Sequence, residues 1–273
     1  MAVEIKNHVL LAKQFIKRDG MLIIGVLIGL TLTIAFVGVV YPGEGEAEGL
    51  DEMVQSPLYQ AMLGPMLASL GSLEGWLGMG WLSWSWWVGL PLAFYLGLRI
   101  FTLEIAQGTA DNLFVAPVSR KEIILTRYLT SCLIIFTVPV SGFIGAIITY
   151  LYLGEQLPLG EMLGVVAVDY LFYVAALSLT VLVSVMLVEM GRTIVVVGAF
   201  YLASYFSHTI GSMNEDLQLL QDFSIFQARP IMEIFINSAT DNVLPNSLLL
   251  VALAAILLAA SLIIAEKVEI RRG

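Results

Sequence analysis

Six long apolar runs, separated by shorter polar stretches, set the pattern of this chain. They cover residues 21–40, 84–103, 129–153, 162–188, 193–211 and 247–265. Crossing roughly 30 Å of hydrocarbon takes about 20 apolar residues in a helix, and each run is near that length or longer. The first, third and sixth carry no charge; the second has only Arg99, the fourth only Asp169, and the fifth only His208. Backbone polar groups in lipid must be satisfied within the segment, so the runs predict six helices. A membrane β-barrel would instead show alternating segments of about ten residues, which are absent.

The stretches between the runs predict smaller elements. Residues 1–20 read as an amphipathic elbow helix on the inner surface. Lys6, Lys13 and Lys17 form one stripe and Ile5, Val9, Ala12 and Ile16 another, with Leu10 intruding among the lysines. Residues 41–83 form a first outer loop that begins acidic and Gly-rich. It has room for an external helix over 53–70, limited by Pro57 and Pro65, and its end opens a cluster of all five tryptophans in 76–87. Indole rings sit well at headgroup level, so the cluster reads as an interfacial belt, with an aromatic platform for an amphiphile as the alternative. The outer segment 212–246 contains FSIFQARPIMEIFINSA, apolar enough to re-enter the bundle. The link at 189–192 can turn but cannot form a domain.

Two in-span positions stand out. Pro139, followed by Ser141, Gly142, Gly145 and Ala146, suits a kink or close helix packing. Asp169 is an ionisable residue inside an apolar run, a functional candidate by default. It reads either as an interfacial structural group or as part of a pathway, and Arg229 is the one basic residue on its side of the membrane.

Composition and charge then fix class and orientation. The chain is 59% hydrophobic and 13% charged, where a soluble domain is about 25% charged. Its mean hydropathy is +0.89. With the N-terminus inside, Lys6, Lys13, Lys17, Arg18, Arg99, Arg120, Lys121, Arg127, Arg192, Lys267, Arg271 and Arg272 face inward and only Arg229 outward. That bias places both termini in the cytoplasm and the chain in the cell membrane. The net charge is −9, and most acids fall on the outer side. The lone cysteine, Cys132, allows no intrachain disulfide.

Several chemistries are excluded by what the sequence lacks. There is no Gly-Lys dipeptide, hence no P-loop, and no H-E-x-x-H. His8 and His208 are expected on opposite faces and cannot share a metal. Ser141 has no positioned base at its depth. Ionisable groups within the runs are too few for a proton relay. No basic cluster with interleaved aromatics points to nucleic acid.

The longest polar interruption on the inner side, EIAQGTADNLFVAPVSRKEIILTR at 104–127, carries the functional reading. Ser119 and Glu122 form an S-x-x-E capping box that starts a helix, and Pro117 disfavours helix at Ala116. Glu104, Gly108-Thr109, Leu113 and Pro117-Val118-Ser119-Arg120 with Glu122, following the second of six spans, resemble the signature of ABC-2 type permeases. These are membrane subunits of ATP-binding cassette exporters of the type V, or ABCG-like, architecture. Glu74-Gly75-Trp76-Leu77-Gly78 and the basic end are similar too. Thr126-Arg127-Tyr128 stands where many members have Gly-Lys-Tyr, and Glu269-Ile270-Arg271-Arg272 where many end Phe-x-Arg-Arg-Asp; both keep the positive charge.

The resemblance implies an all-α polytopic membrane protein of one transmembrane domain over 1–273. It implies six spans, an elbow helix, an outer re-entrant segment and a cytoplasmic coupling helix within a hairpin at 104–128. Glu104, Gly108, Thr109, Leu113, Phe114, Pro117 and Arg120 would contact a separate ATPase subunit that carries ATP and Mg. The chain itself would bind no cofactor or metal and catalyse nothing. A second permease chain, surrounded by lipid, would complete the path, with Asp169 and Pro139 as its candidate lining. Two other classes share the scaffold: a six-span assembly or sensory protein that does not transport, and an intramembrane enzyme drawing on Ser141, His208 or Asp169.

Overall fold

A computed structural model of the chain describes residues 2–43, 71–103, 119–213 and 215–267, and every regular element among them is helical. The expected external helix at 53–70, the polar stretch 104–118 and the basic tail 268–273 lie outside the described residues.

The long helices are α1 (Ala2–Val39), α2 (Leu73–Ile100), α3 (Arg120–Ile135), α4 (Thr137–Leu153), α5 (Leu159–Leu187) and α6 (Met190–Met213). Two short helices follow, α7 (Gln218–Asp222) and α8 (Ile231–Asn237), and α9 (Val243–Lys267) closes the described chain. Among the described residues, five helical stretches are long and apolar enough to cross a membrane. They are Ile16–Val39, Lys121–Leu153, Leu159–Leu187, Met190–Ser212 and Thr240–Lys267, and they mark the chain as membrane-embedded.

The expected boundaries shift in instructive ways. The elbow expected at 1–20 and the span expected at 21–40 run together as one unbroken helix of 38 residues. Gly20 alone costs a helix only about 1 kcal/mol relative to Ala, and no proline or cap stands there to end it. The expected span 84–103 overlaps α2 as far as Ile100 and runs three residues past its end; α2 is not among the five apolar stretches although it has 28 residues. Its tryptophans, glycines and serines, with Pro91 and Arg99, dilute its aliphatic content. It also starts earlier than expected: Ser72 caps it by accepting from the Gly75 N–H at 3.1 Å.

The third apolar run is broken at Phe136 into α3 and α4. Pro139, in the first turn of α4, has no N–H to offer the Ile135 carbonyl, and its ring crowds that carbonyl. Thr137 Oγ1 donates to the neighbouring Ile134 carbonyl at 2.7 Å. At the other end of α3 the expected capping box is present: Glu122 N–H donates to Ser119 Oγ at 3.3 Å and Ser119 N–H to Glu122 Oε2 at 2.8 Å.

The helix that composition marks as least membrane-like lies at the centre. α2 packs against α5, α1 and α8, while α1 lies along α4 and α9 along α5. Leu90, Leu92, Ala93, Leu96 and Ile100 of α2 join Val168, Phe172, Val174, Leu177 and Val181 of α5 in one continuous core. The peripheral helices present unpartnered apolar stripes. Ile24, Ile28, Leu32 and Phe36, one turn apart on α1, are each more than half exposed. Stripes of this size would be a liability in water and match a lipid environment.

Contacts between helices define two ends of the bundle. At one, Trp76 Nε1 donates to the Val37 carbonyl at 2.7 Å, and the segment 215–242 packs over α2, α5 and α9. We call this the capped end. At the other, Asp19, Arg99, Arg127, Lys121 and Glu266 meet, and we call it the basic end.

Candidate functional site

Near the capped end the structure holds a fully buried ion pair. Asp169 sits ten residues into α5, about 15 Å along the axis from Leu159 at 1.5 Å per residue. Its partner, Arg229, comes from the link between a 3₁₀ turn (Ile225–Ala228) and α8. The two side chains are 0% and 1% exposed. Arg229 Nε donates to Asp169 Oδ1 at 2.8 Å, and Nη2 lies 2.6 Å from the same oxygen.

Further groups complete the coordination of both charges. Arg229 Nη2 also donates to Ser85 Oγ at 2.5 Å and to Tyr173 OH at 3.1 Å, while Nη1 reaches the Leu82 carbonyl at 3.5 Å. The Phe172 ring centroid lies 5.3 Å from Arg229 Cζ, within cation–π range. The second Asp169 oxygen, Oδ2, accepts from Trp81 Nε1 at 3.1 Å. Burial works against the guanidinium charge, but the Asp169 carboxylate beside it more than offsets this and holds its pKa above the usual arginine value.

Local sequence explains how each group is delivered. Trp81, Leu82 and Ser85 occupy adjoining turns of α2, and Asp169, Phe172 and Tyr173 lie one turn apart on α5. Two glycines make room for the large rings. A Cβ at Gly142 would stand 2.5 Å from the Trp81 ring, and one at Gly89 would stand 2.3 Å from the Tyr173 ring. Arg229 is carried in by apolar neighbours on both sides: Phe226, Ala228, Ile231, Met232, Ile234 and Phe235 are all buried. Pro230 disfavours helix at Arg229, whose backbone sits at φ −122° and ψ 62° and ends the 3₁₀ turn. Ser224 anchors the entry to this segment by donating to the Ser204 carbonyl of α6 at 2.7 Å.

A second buried pair ties the basic end together. Asp19 of α1 and Arg99 of α2 form a salt bridge whose side chains are 3% and 2% exposed. Tyr95 OH donates to Asp19 Oδ1 at 3.2 Å. Arg127 of α3 donates from Nη1 to the carbonyls of Arg99 and Ile100, each at 3.3 Å, satisfying the open end of α2. Thr102 is joined to Ser184 of α5, the backbone N–H donating to Ser184 Oγ at 3.3 Å. The end of α2 is thus gripped by α1, α3 and α5 immediately before residue 104.

The residues singled out from sequence fall as follows. Glu104, Gly108, Thr109, Leu113, Phe114 and Pro117 lie outside the described residues. Arg120 is the first residue of α3. Pro139 is buried at the α3–α4 break, and Asp169 is the acceptor at the heart of the buried pair. Sequence reasoning did not pair Asp169 with Arg229; the signal was one in-span acid and one basic residue on the same side of the chain's topology. It passed over Asp19 as well.

The tryptophans meet different surroundings. Trp81 is buried on Asp169, Trp86 stacks on Tyr205 at 4.9 Å, and Trp84 and Trp87 are exposed. Successive positions on one helix point to different sides, so the rings face different neighbours, although Trp86 and Trp87 lie 5.0 Å apart. Among the described residues no group of three His, Cys, Asp or Glu stands together to hold a metal. Comparison with family models, curated proteins and solved structures finds no match to this chain.

Proposed function

We propose that this chain is the permease subunit of an ABC-2 type exporter, crossing the cell membrane six times with both termini in the cytoplasm. A second permease chain shares the path, and a separate subunit binds and hydrolyses ATP with Mg. The observation that carries the reading is the polar stretch 104–117 between the gripped end of α2 and the capped start of α3. Its two flanks, the end of α2 and the start of α3, lie at the basic end, the cytoplasmic end by the excess of Lys and Arg. Counting α2 as a span rests on its length of 28 residues and its place in the core.

In this reading a motor that moves 104–117 moves the α2 terminus directly. Arg127 and the Asp19–Arg99 pair pass that displacement to α3 and α1, and Ser184 passes it to α5. Alternating access then requires the ATP-bound motor to favour one arrangement of these helices over the other by differential contacts.

The test is co-expression with a cassette ATPase encoded beside the gene. The two chains should co-purify, and Leu113→Pro should abolish permease-dependent ATPase stimulation while the bundle stays folded. Co-purification with no movement of any cargo would favour a non-transporting assembly or sensory protein. A chain that binds no ATPase, or that keeps its coupling after Leu113→Pro, overturns the reading.

A further inference from the structure

The buried pair divides unequally between elements. Everything that receives the guanidinium belongs to two long, packed helices: Leu82 O and Ser85 from α2, and Asp169, Phe172 and Tyr173 from α5. The guanidinium itself comes from the segment 224–237, one 3₁₀ turn and the seven-residue α8, which is followed by Ser238 with φ of +49°. That segment is otherwise held by apolar side chains and the Ser224–Ser204 contact. A carboxylate, a phenol, a hydroxyl, a carbonyl and an aromatic face converging on one point form a receptor for an organic cation. Its walls belong to the two long helices and not to the segment that carries Arg229.

We propose that the Asp169 cradle is a cation-recognition site, and that its resident Arg229 exchanges with the guanidinium or ammonium head of a cationic amphiphile. The burial of Asp169 makes replacement by another cation, not simple withdrawal, the way Arg229 can leave. Withdrawal of Arg229 leaves the carboxylate without its counter-charge, with only the neutral Trp81 indole and Tyr173 hydroxyl donating to it, and a buried charge in that state is strongly disfavoured. The segment 224–237 therefore opens when an incoming cation takes the vacated place. An apolar tail suits the surroundings, since Phe226 and Phe235 pack against Phe172 and Trp81 around the cradle. The proposal does not depend on what drives the chain.

Two measurements on the full-length protein test it. In Arg229→Ala, methylguanidinium should raise the melting temperature saturably toward the wild-type value. Methylurea, which has the same shape without the charge, should not, and Asp169→Asn/Arg229→Ala should respond to neither. In a Cys132→Ser background with Arg229 intact, Ile234→Cys, buried in the segment, should react slowly with a maleimide. A long-chain alkylguanidinium below its micelle threshold should accelerate that reaction several-fold, whereas the matching alcohol should not. Equal stabilisation by methylurea, or an unchanged response in the double variant, overturns the proposal. So does labelling at residue 234 that ignores the alkylguanidinium, and this second result decides the matter if Arg229→Ala does not fold.

Discussion

Replacing the two members of the buried pair one at a time, and then together, should give strongly non-additive losses. Removing one partner of a buried ion pair typically costs about 3–5 kcal/mol, because the other charge stays behind uncompensated. The surroundings rank the two losses. Without Asp169, the Arg229 guanidinium still has Ser85, Tyr173 and the Leu82 carbonyl as acceptors. Without Arg229, Asp169 keeps two neutral donors, the Trp81 indole and the Tyr173 hydroxyl. Asp169→Leu should therefore fall near ~3 kcal/mol and Arg229→Met near ~5 kcal/mol.

The double variant Asp169→Leu/Arg229→Met removes both charges and should be more stable than either single variant, since apolar replacement of a whole pair is often neutral or better. At about 2–4 °C per kcal/mol for chains of comparable size, the single variants should melt roughly 6–20 °C below wild type. Tryptophan fluorescence in detergent is a suitable probe, because Trp81 touches the site directly. Additive losses in the double variant, or Asp169→Leu costing more than Arg229→Met, would refute this account of the pair.

Other perturbations separate structural from functional roles. Gly89→Ala places a methyl 2.3 Å from the Tyr173 ring and should cost at least the ~1–3 kcal/mol of core overpacking, read by the same melts. Ser119→Ala removes the capping box of α3 and should cost about 1 kcal/mol while leaving ATPase stimulation intact. Lys121→Ala breaks an ion pair with Glu266 whose side chains are 44% and 56% exposed, and should change stability by less than ~1 kcal/mol. Arg99→Met leaves Asp19 buried without its partner and should destabilise the basic end by several kcal/mol, restored in part by Asp19→Leu.

The apolar runs made most of the fold legible, because length and lack of charge are sufficient signals for a buried helix in lipid. α5, α6 and α9 lie within a few residues of the expected 162–188, 193–211 and 247–265. The break beside Pro139 and the Ser119–Glu122 cap were legible too, since each follows from local stereochemistry. The centrality of α2 was not, because burial inside a bundle permits the tryptophans, glycines and serines that lower hydropathy. The Asp169–Arg229 pair was not either. It joins residues 60 apart in sequence, and no local rule specifies such a contact. Asp169 sits about three turns into α5, since the helix begins at Leu159.

The central claim is that α2 crosses the membrane, which puts 104–117 on the nucleotide side and the segment 215–242 on the other. Single cysteines at Gly71 and Lys121, in a Cys132→Ser background, can be probed in oriented vesicles with a membrane-impermeant maleimide. The account predicts that Gly71→Cys is labelled from the outside and Lys121→Cys from the inside. Labelling of both from the same side would contradict the six-span arrangement and the coupling role assigned to 104–117.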